Sequence, residues 1–110
     1  MTTHDRQAHP RIRGRIRVRF GVDALDRSAF TMNVSLSGAF IRTNQVFPPG
    51  TTIKVEFNFE DGPLTVYAKV VWAKKVPPQM GHLVLCGMGI RLLQVGPEWL
   101  QKFEVWEAGH

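Results

Sequence analysis

The feature that most constrains this chain is a strict period of two. From Arg15 to Phe20 the residues run Arg-Ile-Arg-Val-Arg-Phe, and from Thr52 to Phe59 they run Thr-Ile-Lys-Val-Glu-Phe-Asn-Phe. Successive side chains of a β-strand point to opposite faces, so this alternation describes strands with one buried and one solvated face. Ile16, Val18 and Phe20 are expected to face a core, with Arg15, Arg17 and Arg19 facing water. Ile53, Val55, Phe57 and Phe59 form a second apolar row. Four more segments read as extended: Phe30, Met32 and Val34 inward against Thr31 and Asn33; Ala39 to Thr43; Leu64, Val66, Ala68, Val70 and Trp72 on one face; and Leu83 to Leu93. Turn sequences separate them, among them Ser35-Leu36-Ser37-Gly38, Phe47-Pro48-Pro49-Gly50, Asp61-Gly62-Pro63 and Pro77 to Gly81. They recur at roughly ten-residue spacing, the pattern of a small all-β domain. Gly87 and Gly89, inside the last strand, mark a bend or a close approach of backbones. After Gly96-Pro97 the period changes: Trp99, Phe103 and Trp106 fall at i, i+4 and i+7, with Leu100 extending the stripe. That is a short amphipathic helix from about residue 97. The expected fold is mainly β, a six-stranded antiparallel β-barrel with a short C-terminal α-helix.

Charge is unevenly distributed. Residues 1–20 hold six arginines (Arg6, Arg11, Arg13, Arg15, Arg17 and Arg19) against Asp5, which accounts for the whole formal excess of +5. The other ninety residues carry equal numbers of basic and acidic side chains. A basic segment on a neutral body points to a localised anionic partner. Residues 1–12 are expected to form a flexible arginine-bearing arm, and residues 13–110 the barrel with its helix. The arginine run itself admits three readings: a solvated strand face, a nucleic-acid arm, or a site for a compact ligand with phosphates and guanine edges, both of which suit arginine's planar fork.

Other chemistry finds little support. His4, His9, His82 and His110 lack metal-ligand spacing, and no metal is expected. Cys86, the one cysteine, alternates with Met88 and Ile90 and reads as a buried structural thiol; it can form no internal disulfide. There is no nucleophile elbow, Walker loop or paired-carboxylate pattern, so no enzyme is expected. No apolar run spans a membrane and no secretory leader is visible, so a cytoplasmic protein is expected, without membrane insertion. The aromatic residues fall on the apolar register, with Tyr67 the exception, which disfavours nucleic-acid binding by stacking.

Asn33-Val34-Ser35-Leu36-Ser37-Gly38 forms N-x-S-x-x-G at a strand end. Alone, it reads as a turn capped by its own side-chain oxygens. Downstream of an arginine cluster, and with Gly38-Ala39, KVVWAKK at 69–75 and GMGIRLL at 87–93, it resembles the PilZ domain family. The resemblance covers most of the chain. It implies a six-stranded barrel that binds cyclic di-GMP through an R-x-x-x-R segment and a [D/N]-x-S-x-x-G turn. Counting back from Val18 and Phe20 places Arg11 at the last motif arginine and Gln7 where the family carries the first, with Arg6 beside it. Arg11 to Arg15 satisfies R-x-x-x-R in a second register. The resemblance thus implies ligand-binding residues Arg6, Gln7, Arg11, Arg15, Asn33, Ser35 and Gly38. Arginines would take phosphates and guanine Hoogsteen edges; Asn33 would read a guanine Watson–Crick edge; Ser35 and Gly38 would complete the turn. It also implies no cofactor, and a change of surface on binding that regulates an unidentified effector protein in motility, exopolysaccharide production or similar behaviour. The alternative is a PilZ-type adaptor that does not bind the nucleotide and acts by protein–protein contact only.

Overall fold

The alternating segments do become strands. The computed structural model describes residues 10–75, 77 and 86–110. Its strands are β1 (Ile12–Arg13), β2 (Arg17–Gly21), β3 (Arg27–Ser35), β4 (Gly38–Arg42), β5 (Thr52–Phe59), β6 (Gly62–Lys74) and β7 (Gly87–Leu92), followed by helix α1 (Pro97–Ala108). All pairings are antiparallel, in the order β3-β2-β5-β6-β7-β4, and β4 pairs back onto β3 to close a six-stranded barrel. Closure leaves no unpaired edge in the ring. β1 is a two-residue extension beside β2 on the same side of β3, pairing Ile12 with Val34 and Arg13 with Asn33. Of the expected last strand, Leu83 to Leu85 lie outside the described residues.

Ile16, Val18, Phe20, Ile53, Val55, Phe57 and Phe59 are all buried, and Arg15, Arg17 and Arg19 are exposed. Arg19 faces Glu56 across the β2–β5 pair, with 3.6 Å between the charged groups. Pro48-Pro49-Gly50 turns the chain, with Thr51 N–H donating to the Pro48 carbonyl at 3.2 Å and Gly50 at φ +96°, a conformation glycine adopts without steric cost.

Two bulges correct the sequence register. Between β3 and β4 the pairing shifts at Met32, so that Thr31 opposes Ile41 and Asn33 opposes Phe40. Upstream of the shift, Phe30 faces out and Thr31 faces in, opposite to strict alternation; Val34 downstream is buried as expected. The buried hydroxyl of Thr31 is satisfied where the first strand breaks: it accepts from Ile16 N–H at 2.8 Å and donates to the Gly14 carbonyl at 2.7 Å. Between β6 and β7 the pairing shifts at Val71, so Trp72 turns outward, 45% exposed, and Ala73 packs against the core instead. A bulge adds one residue to one strand and inverts the faces beyond it. Replacing Thr31 with valine keeps the shape but strips partners from one N–H and one C=O. The expected loss is about 1–3 kcal/mol, read as a lower urea midpoint at unchanged slope.

Helix α1 packs beside the barrel through an aromatic ladder. Trp99 is 1% exposed, with ring centroids 4.9 Å from Phe57 and 5.7 Å from Phe59. Phe103 and Trp106 continue the ladder, and Trp106 lies against the Cα of Gly14, where a Cβ would collide with the indole. Leu100 does not join this face; it is exposed. An ion pair of 3.1 Å from Lys102 to Asp61 ties the helix to the β5–β6 turn. No described helix is long and apolar enough to cross a membrane.

Candidate ligand-binding site

Asn33 lies on β3 immediately after the Met32 bulge, and its side chain is half-buried beside the entering chain. Arg11 Nη1 donates to Asn33 Oδ1 at 2.8 Å. The amide oxygen has two lone pairs, so one stays open to a second donor, and the amide nitrogen keeps its own protons to donate. The segment entering β1 and the N-x-S-x-x-G motif thus meet through the two residues that the motif reading placed at their recognition positions.

Ser35 and Gly38 serve the turn itself. Ser35 is buried, and its Oγ accepts from the N–H groups of Ser37 at 3.3 Å and Gly38 at 3.2 Å. A Cβ on Gly38 would strike the Ile90 carbonyl, so glycine is what allows β4 to start this close to β7. Leu36, inside the turn, accepts through its carbonyl from Trp99 Nε1 at 2.8 Å. The turn is therefore fastened to the helix.

Three further residues complete the surface around Arg11 and Asn33: Phe40, Trp72 and Lys74. Together with Met32 and Gly89 they line a depression of about 380 Å³. The Phe40 and Trp72 rings stack with centroids 5.1 Å apart and planes 16° from parallel. The glycines of β7 make room for them. A Cβ on Gly87 would meet the Phe40 ring, and one on Gly89 would meet the Trp72 indole. The Gly87-Met88-Gly89 signal, read from sequence only as barrel geometry, thus seats an aromatic pair. Sequence reasoning missed the pair because strict alternation buried Trp72. Gly89→Ala is expected to push the indole out of the stack with little loss of stability, seen as altered near-ultraviolet dichroism at a nearly unchanged urea midpoint.

Arg15 is not part of this cluster. Its guanidinium lies 4.2 Å from the centroid of Phe30 and lines a different depression. Arg6 and Gln7 lie outside the described residues. Cys86 is half-buried and lines the same depression as Arg15, rather than being sealed in the core.

The family model of the PilZ domain matches residues 5–103. The chain belongs to the PilZ domain family. That is a family of ligand-binding and adaptor domains. Among solved structures, this PilZ domain is similar to the PilZ domain of YcgR from Escherichia coli, solved with c-di-GMP: TM-score 0.65 at 16% identity, covering 91% of this chain and 88% of that one. It is also similar to the Bacillus subtilis inhibitor of motility MotI/DgrA, with TM-score 0.68 at 14% identity, covering 87% of this chain. There the chain spans about half of the longer protein, 46% of its length. Identities this low establish the shared barrel and no more. No curated protein sequence matches the chain.

Proposed function

We propose that this PilZ domain is a cyclic di-GMP receptor of the cytoplasm that regulates a partner protein through a ligand-dependent change of surface. The observation that carries this reading is the Arg11–Asn33 pair, closed at 2.8 Å beside the Phe40–Trp72 stack. The depression offers what a guanine nucleotide needs. The open lone pair of Asn33 Oδ1 suits the N–H donors of a guanine Watson–Crick edge. The guanidinium of Arg11 suits a phosphate or the O6/N7 edge, and Lys74 adds a point charge. Trp72 gives a base a surface to stack on. At about 380 Å³ the depression is at the small end of ligand sites. It accommodates part of a dinucleotide, and the arm carrying Arg6 would fold over the rest.

Two contacts offer routes to an output. The turn reaches α1 through the Trp99–Leu36 hydrogen bond, and the segment just after β1 reaches it through Gly14 against Trp106. A ligand that reorders residues 1–12 bears on both. Gln7, where the family carries an arginine, favours a second reading, an adaptor that acts by protein contact alone.

Titration with cyclic di-GMP should change the tryptophan emission saturably, and Trp72→Leu should abolish most of that change. Gln7→Arg should tighten binding about tenfold or more by restoring one charge-assisted fork. An emission signal that does not respond to ligand in either protein would favour the protein-contact adaptor.

A further inference from the structure

Three of the arginines outside the Arg11–Asn33 site share a second surface. Arg13, Arg15 and Arg42 border one wide depression of about 860 Å³, together with Phe30, Met32 and Thr43. All three are exposed, and none has a carboxylate within 4.0 Å among the described residues. Arg15 is not free to wander, because its guanidinium is stacked 4.2 Å above the exposed Phe30 ring. Stacking holds the plane of the guanidinium while leaving its in-plane N–H groups to a partner. Arg42 stands directly across the β3–β4 pair from Phe30.

The layout favours an elongated anionic partner. Arg13 ends β1 opposite Asn33, and Arg15 follows in the break before β2. Arg42 lies on the far side of β3, two strand spacings away, about 10 Å. Arginines entering one wide depression from both sides of β3 offer several separate charges to an elongated partner. They suit an extended peptide carrying several carboxylates, each of which an arginine fork can take. Single-stranded nucleic acid fits less well, because a face of the one aromatic ring in this depression is already covered by Arg15.

We infer that the Arg13–Arg15–Arg42 depression is a docking surface for an extended acidic segment of a partner protein, with the Arg15–Phe30 stack as its anchor. Arginine and aromatic residues at the centre of a patch are the usual carriers of interface affinity. This inference does not require that the domain bind a nucleotide.

The test is fluorescence anisotropy of the full chain with a labelled synthetic peptide carrying glutamate at alternate positions, at low salt. Wild-type protein should bind it saturably. Arg15→Ala and Arg42→Ala should each weaken binding about tenfold or more, while Arg91→Ala, which removes an equal charge from β7, should change it less than twofold. The inference is overturned if wild type fails to bind, or if all three variants weaken binding equally, since the effect is then one of net charge. It is also overturned if an oligothymidylate or a phosphatidylserine vesicle binds more tightly than the peptide and shows the same dependence on Arg15 and Arg42. Thermal melts of each variant distinguish lost contacts from lost folding.

Discussion

Trp99→Ala is expected to cost about 3–5 kcal/mol of unfolding free energy, the range for removing a buried aromatic from a packed core. Three interactions go at once. The indole leaves a cavity beside Phe57 and Phe59, the aromatic ladder of α1 loses its buried end, and the Leu36 carbonyl loses its donor at 2.8 Å. Domains of this size are stable by about 5–15 kcal/mol, so the variant should sit near the unfolding threshold at 37 °C. Urea denaturation followed by far-ultraviolet dichroism measures the loss directly. Trp99→Phe separates the contributions: it keeps much of the packing and removes only the N–H. It should cost about 1–3 kcal/mol and loosen the N-x-S-x-x-G turn. A wild-type midpoint for Trp99→Phe would show that the hydrogen bond to the turn carries no stability.

Arg11→Ala is expected to weaken cyclic di-GMP binding by about one to two decades, from the loss of one charge-assisted contact worth about 1.5–3 kcal/mol. Stability should barely change, because Arg11 is exposed and its one side-chain hydrogen bond among the described residues, to Asn33, is at the surface. Arg17→Ala serves as the control. Arg17 lies on the solvated face of β2 and does not line the Arg11–Asn33 depression. If Arg15→Ala were more damaging to nucleotide binding than Arg11→Ala, the motif would run from Arg11 to Arg15, and the arm preceding Arg11 would be dispensable.

The parts of this fold legible in the sequence are those where alternation runs unbroken. β5 follows the Thr-Ile-Lys-Val-Glu-Phe-Asn-Phe pattern residue for residue, and burial alternates along Arg-Ile-Arg-Val-Arg-Phe although β2 itself takes only its last four residues, Arg17 to Phe20. Helix α1 begins at Pro97, where the Gly96-Pro97 pair placed it, and buries its aromatic stripe, although Leu100, read as part of that stripe, faces water. What the pattern misses lies beyond the two bulges. A bulge at Met32 or Val71 leaves no local mark in residue type, because it is fixed by partners far along the chain: the Gly14–Ile16 break served by Thr31 in one case, and the glycine gap in β7 in the other. The same reason hid half of the candidate site. Asn33 and Arg11 are readable as motif positions. Phe40 and Trp72 become surface neighbours only once the second bulge turns the indole outward over Gly89. Arg15 shows the converse. It satisfies a motif on paper, yet its side chain is committed to Phe30 and opens onto a different surface.

Isothermal titration of residues 1–110 with cyclic di-GMP tests the central claim most directly. The account predicts a saturable heat for the wild-type chain, lost or strongly reduced in Asn33→Ala and preserved in Arg17→Ala. An absence of heat with the wild-type chain at high micromolar ligand would contradict it.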